Sequence, residues 1–314
     1  MLKLLLLMTG FSLINAGHIS KISSEVTVLN VELLRNEPLH IQGYKKISKA
    51  QVEHLILTDC KGVIDAATFK HFPKLQKLTL WRSNIEEITT NIPITHLVSM
   101  GSHLPSLNED LQQKLPKLQS LLLMGNKNVQ VDPMVFKNFR RLRSLHISEA
   151  NFTRDCITKY WFKGMDLEEL GLSDNNISCM SEDAFDSLKS LRKLDLTYNH
   201  IPYLERKVFK KLTKLEQLGL YENHLDRLEL GSLASQKNHL ERFGISWDVL
   251  KNSNIEAEDL VHAFPKLKHV SFGHDDMPND FSAGIFCQIL RQNDVSCEVD
   301  SVFGYSKIFG YYSI

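Results

Sequence analysis

LRKLDLTYNHI, Leu191 to Ile201, has leucine at its first, fourth and sixth places, asparagine at its ninth and isoleucine at its eleventh. LEQLGLYENHL (Leu215 to Leu225) and LEELGLSDNNI (Leu167 to Ile177) share the pattern, and all three read LxxLxLxxNxL. Looser copies begin at Val52 (VEHLILTDC), Leu75 (LQKLTLWRSNI), Ile94 (ITHLVSMGSHL), Leu118 (LQSLLLMGN), Leu142 (LRSLHISEANF), Leu240 (LERFGISWDVL) and Leu267 (LKHVSFGHDDM). Successive starts are 23, 19, 24, 24, 25, 24, 24, 25 and 27 residues apart. So steady a period marks units that cannot close an apolar face alone and must stack to bury one. Each unit predicts a short strand over places 3 to 8, then a turn, then an irregular or helical return bearing further apolar residues, as Ile201, Leu204, Phe209 and Leu212 do. Asparagine at place 9 (Asn126, Asn175, Asn199, Asn223) is suited to satisfying turn amides and carbonyls that irregular backbone would orphan.

Around this repeat the chain is ordinary globular protein. Of 314 residues, 43% are hydrophobic, 24% charged and 9% aromatic, which excludes disordered and low-complexity classes. Thirty-seven basic residues balance thirty-seven acidic ones, so the charge excess of a nucleic-acid or polybasic membrane binder is missing. MLKLLLLMTGFSLINA (residues 1–16) reads as a secretion signal, with Lys3 before an apolar run and small Ala16 and Gly17 at the cut. That run is too short for a bilayer span, no later stretch is long and apolar enough for one, and the tail KIFGYYSI lacks a lipid-anchor signal. The expected protein is therefore secreted and extracellular, where thiols pair.

The repeats resemble the 24-residue, extracellular class of leucine-rich repeat proteins from Val52 to about Asp280. That class includes Toll-type receptor ectodomains, matrix proteoglycans and the secreted leucine-rich immune proteins of insects, and the short N-terminal flank points to the last. The resemblance implies an α/β solenoid, a leucine-rich repeat horseshoe of about ten repeats with a parallel sheet on its concave face. It also implies a non-enzymatic role in innate immunity, binding a protein or a microbial surface ligand, with a matrix or adhesion protein as the alternative. The domain reading is 1–16 signal, 17–51 N-terminal cap, 52–280 repeats and 281–314 C-terminal cap with an aromatic tail. In the cap, Glu25 to Leu34 and Pro38 to Ile41 read as β material able to pair with the first repeat. At the other end, Phe281 to Leu290 reads as a capping helix.

Five cysteines leave one thiol over. Cys156 and Cys179 fall on one flank of adjacent units at near-equivalent places, which predicts a bridge; Cys287 and Cys297 would staple the C-terminal helix, or both stay reduced. Cys60 takes place 9, where this repeat class accepts cysteine, and reads as a buried thiol, with an intermolecular bridge as the other reading. Asn151-Phe-Thr153 and Asn176-Ile-Ser178 are glycosylation sequons at place 10 of consecutive repeats, close enough for their sugars to crowd. Places 3, 5, 7 and 8 should spell the ligand face. Near the N-terminus that face is an apolar patch, Ile56, Trp81, Arg82, Val98, Met100, Leu122 and Met124. A more polar stripe follows with Arg192, Asp195, Tyr198, Tyr221, Glu222, Arg242 and Trp247, rich in residues that anchor interfaces. A homo- or hetero-dimer through either is left open.

Metal and catalytic readings are weaker. His200 and His224 share place 10 but lack carboxylate or thiol companions, and His269, His274, Asp275 and Asp276 match no standard metal loop, so no cofactor or metal is expected. No nucleophile elbow, zinc-helix motif or phosphate loop occurs, and a pair such as Glu168 with Asp195 has nothing to enclose a substrate. The tail aromatics Tyr305, Phe309, Tyr311 and Tyr312 read as a cover for the last strand, or as a docking element.

Overall fold

The computed structural model describes residues 11–15, 28–32, 51–69, 72–105, 107–126, 130–273 and 281–299. The expected strand at Pro38 to Ile41, the His274, Asp275 and Asp276 group and the four tail aromatics lie outside them. The chain forms two compact units, residues 1–131 with 149–151, and residues 132–148 with 152–314.

In the first unit the sheet order is β1 (Phe11–Asn15), β2 (Val28–Glu32), β3 (His54–Thr58), β5 (Lys77–Trp81), β7 (His96–Met100) and β8 (Ser120–Met124). Every pair is parallel and in register: His54 faces Lys77, Lys77 faces His96 and His96 faces Ser120. These offsets are those of the repeat starts, so the sequence period and the strand register are one quantity. β2 pairs with β3, and β1, which falls within the segment read as a secretion signal, pairs with β2. A flank pair, β4 (Lys61–Ile64) with β6 (Asn84–Ile88), follows the first turns, and α1 (Ala66–Phe69), α2 (Glu109–Lys114) and β9 (Gln130–Val131) serve the returns. Asn108 begins α2 by accepting the Leu111 amide on its side chain.

The second unit orders β10 (Ser144–Ser148), β13 (Glu169–Gly171), β15 (Lys193–Asp195), β16 (Gln217–Gly219), β17 (Arg242–Gly244), β18 (His269–Phe272) and β19 (Ser296–Val299), all parallel. β11 (Asn151–Phe152) lies on the flank, and β12 (Cys156–Ile157) pairs there with β14 (Cys179–Met180). α3 (Trp247–Asn252), α4 (Ala257–Ala263) and α5 (Phe281–Gln292) replace the irregular returns toward the C-terminus. Among the described residues no helix is long and apolar enough to cross a membrane.

The core is the leucine ladder. Places 4 and 6 of β3, β5, β7 and β8 bury Leu55, Leu57, Leu78, Leu80, Leu97, Leu121 and Leu123, and in the second unit Leu170, Leu172, Leu194, Leu196, Leu218 and Leu220 do the same. Each such burial is worth roughly 1.5–3 kcal/mol against exposure. Behind them Phe162, Phe185 and Phe209 stack from return to return at 6.3 and 6.2 Å between centroids.

Place 8 turns the chain off each strand through the left-handed region: Asp59, Arg82, Gly101, Gly125 and Glu149 in the first unit, Asp174, Tyr198 and Glu222 in the second, all between φ 48 and 64°. For a residue with a Cβ this costs about 1–2 kcal/mol. The place-9 side chain offsets it. Asn199 donates from Nδ2 to Leu172 O (2.8 Å) and accepts on Oδ1 from the amides of Asn175 (3.1 Å) and Ile177 (2.9 Å). Asn126 serves Ser99 O and the Ser102 amide in the same way. Serine continues the ladder in the first unit: Ser102 Oγ accepts from the Ser83 amide (2.9 Å), and Ser83 Oγ accepts from the Cys60 amide (3.1 Å).

Candidate functional site

Because the strands are short, parallel and in register, outward side chains line up in columns across them, each about 4.8 Å from the next. In the first unit place 5 carries Ile56, Thr79, Val98 and Leu122, and place 7 carries Thr58, Trp81, Met100 and Met124. The open apolar patch expected here is largely closed. Val98, Leu122 and Met124 are 6–7% exposed, because side chains packed in adjacent columns shield one another, while Ile56 and Met100 are half-buried. Trp81 alone of the set is a large exposed apolar side chain, at 44%. Beside it Arg82 is exposed and grips Asp59 with two hydrogen bonds, Nε to Oδ1 at 3.0 Å and a terminal nitrogen to Oδ2 at 2.6 Å.

Place 3 of the same strands is polar throughout: His54, Lys77, His96 and Ser120. His54 Nε2 lies 2.8 Å from Thr79 Oγ1, and His96 Nδ1 lies 2.8 Å from Thr95 Oγ1. Partial burial first, then the Lys77 charge and His96, pushes His54 down to about 4. Burial lowers Lys77 as well, and burial with Lys77 lowers His96. These three residues were missed in the sequence; reading place 3 down the repeats instead of along each one would have found them.

In the second unit the place-5 column is His146, Gly171, Asp195, Gly219, Gly244 and Ser271, so the floor of the sheet is low and polar. Asp195 is buried and accepts on Oδ1 from the Thr197 amide (3.1 Å) and hydroxyl (2.7 Å). Glu169 gathers Ser144 Oγ (3.2 Å), Lys193 Nζ (2.6 Å) and, at 3.5 Å, His146 Nε2. Burial holds His146 neutral by lowering its pKa, so its approach to Glu169 is that of an uncharged ring.

The polar stripe expected in this unit is rearranged. Tyr221 is 1% exposed and meets Tyr198 edge to face at 5.7 Å; Tyr198, Glu222 and Arg242 are half-buried. Trp247 corrects its assignment to the ligand face. After Ser246 the chain enters α3 instead of the left-handed turn, and Trp247, 5% exposed, packs edge-on against Phe272 (6.0 Å) and Phe286 (5.2 Å). Arg192 is exposed in a charged recess with Glu168, Ser190, Lys214, Glu216 and His239, where its guanidinium holds Glu216 at 2.7 Å. Glu168 thus sits in the recess and Asp195 on the buried sheet floor, so the two do not form the pair weighed from the sequence.

Cys156 is bonded to Cys179, with Cα atoms 4.6 Å apart, and Cys287 to Cys297. Cys60 is buried, its thiol donating to Thr58 O at 3.4 Å, and burial pushes it up to about 12, which leaves it unreactive at neutral pH. Asn151 and Asn176 are both exposed; Asn176 Oδ1 lies 3.1 Å from His200 Nε2, and His200 stacks on His224 at 4.8 Å. His269 is buried, with Nδ1 2.6 Å from Ser296 Oγ.

Comparison with known proteins agrees with this architecture. A family model described as leucine rich repeat matches residues 140–201. The fold is similar to that in the Drosophila Toll–Spatzle complex (TM-score 0.63, 15% identity, 93% of this chain and 43% of that one). It is also similar to the TLR13–ssRNA13 complex (0.60, 18%, 87% and 43%) and to the mouse RP105/MD-1 complex (0.57, 17%, 79% and 50%). The chain thus spans half or less of the length of these structures. No curated protein matches its sequence. The fold class is that of a leucine-rich repeat solenoid.

Proposed function

We propose that this leucine-rich repeat protein is a secreted, glycosylated and non-enzymatic recognition protein of innate immunity. It holds a protein or microbial surface ligand on the sheet face of its first unit. The observation that carries this reading is Trp81: a 44% exposed tryptophan on a β-strand, not a loop, flanked in register by Met100 and followed by the exposed Arg82. Tryptophan and arginine are enriched among the residues that dominate interface energy, and Arg82 is already held by Asp59, which reduces the freedom lost when it is covered. The three structural neighbours are named as complexes, two with a protein and one with RNA. The balanced charge of this chain favours protein over RNA. Two disulfides are consistent with an oxidising compartment, and exposed Asn151 and Asn176 are available to carry glycans.

Partner capture from extracellular fluid tests the reading, comparing the natural chain with Trp81→Ala plus Arg82→Ser and with Tyr203→Ala, a change at a 58% exposed tyrosine away from the sheet. A soluble partner should be lost from the double variant, by about tenfold or more in affinity, and kept by Tyr203→Ala. Retention of every partner by the double variant rejects the sheet face, and an insoluble matrix partner moves the protein to the adhesion class.

A further inference from the structure

In the first unit three residues able to carry positive charge stand side by side: His54 on β3, Lys77 on β5 and His96 on β7. Across two strand spacings the column spans about 10 Å. Among the described residues no carboxylate is paired with any of the three. On one side the column continues to Ser120 of β8, and on the other His54 is in register with Val28 of β2. Along the strands the same face runs into Ile56, Thr79 and Val98, none of them charged. The preceding residues are Glu53, Gln76 and Thr95; Glu53 is exposed, and strand alternation directs it away from the column. Partial burial first, then the charges of Lys77 and His96, holds His54 at about 4; burial lowers Lys77, and burial followed by Lys77 lowers His96.

This cluster differs from Lys193, His146 and Arg192, which have carboxylate partners. In the second unit Lys193 and His146 share Glu169, and Arg192 has Glu216. A part-buried ammonium without a counter-ion costs folding free energy, and an added negative group offsets that cost while gaining charge-assisted hydrogen bonds. We propose that His54, Lys77 and His96 form a binding site for an oxyanion, a carboxylate, phosphate or sulfate group of the ligand, with Lys77 at its centre. The ammonium supplies the permanent charge. The imidazoles on either side become donors when protonated, and the hydroxyls of Thr79 and Thr95 already fix the orientation of each ring. The proposal deepens the reading of this face as a binding surface by assigning the charge class of what it holds.

The sign of the pH dependence follows. An anion beside the imidazoles stabilises their protonated forms, so the bound protein takes up protons and affinity rises as pH falls. Sulfate keeps its charge between pH 7.5 and 5.5, which makes it the cleaner inorganic probe, and a glutamate-rich peptide tests the carboxylate source. Titration calorimetry on the full chain should show binding of at least one probe, with proton uptake and affinity about fivefold or more higher at pH 5.5 than at 7.5. Lys77→Gln should weaken it about tenfold, and His96→Gln, at an exposed position, should flatten the pH dependence. Binding of sulfate but not peptide assigns a phosphate-like or sulfate-like group, and the reverse assigns a carboxylate. No binding of either probe at millimolar concentration overturns the site, as does binding indifferent to both variants or to pH. If the site fails while partner capture still depends on Trp81, the face stands without the anion; if sulfate binds while capture ignores Trp81, the proposed partner surface fails instead.

Discussion

Glu169 meets Ser144, Lys193 and His146 from the neighbouring strands, and these contacts tie it to the stability of the unit in acid. The hydrogen bond from His146 first, and then those from Lys193, hold its carboxyl at about 2, well below the ordinary 4.5. A carboxyl depressed in the folded state contributes stability that is present above its unfolded pKa and lost as pH falls through the folded one. His146 is also lowered, by burial, so its share is present above 6.5 and lost as pH drops below that value. Stability should therefore fall in two stages, below 6.5 and then between 4.5 and 2. Urea midpoints across this range should show the second stage shallower in Glu169→Gln, and an unchanged slope would mean that Glu169 is not its source. Little of this network could be read from the sequence. Ser144, His146, Glu169 and Lys193 are scattered over 50 residues, and only the strand register brings them together. The place-9 asparagines were readable because one residue type recurs at one place, whereas Ser83 and Ser102, doing the same work, were hidden by their ordinariness.

At the scale of the element, the bridge between β12 and β14 joins two flank strands that are already in register, Cys156 facing Cys179. Its 23-residue separation encloses one repeat, so its main effect is to restrict the unfolded chain, a contribution of about 3 kcal/mol. Replacing both cysteines by alanine should lower stability by that order in chemical denaturation and speed amide exchange between residues 156 and 180. No loss of stability would show that the strands hold the flank without it. The same register explains which features were legible beforehand. Places 1, 4 and 6 recur because the core demands them, which made strands and their pairing legible. The outward face of the sheet obeys no such demand. Whether Val98 or Leu122 is open depends on the columns beside it, and Trp247 left its column because the chain enters α3 there, with Asp248 in its first turn, where earlier repeats turn left-handed. The serine and aspartate flanking that tryptophan were the available signal.

At the scale of the whole molecule, β1 occupies residues 11–15, inside the stretch that reads as a secretion signal, and pairs with β2 along its full length. Cleavage after Ala16 would take β1 away and leave the backbone amides and carbonyls on one side of β2 without a neighbour. A bare edge of parallel strand is a template for another chain. A chain beginning at residue 17 loses the register pairs of β1 with β2, so amide exchange at residues 28–32 should be faster than in the uncut chain, and equal exchange in the two would show that β2 is protected some other way. Where the chain is cut thus decides which strand, β1 or β2, stands at that end of the stack and meets whatever lies beyond it.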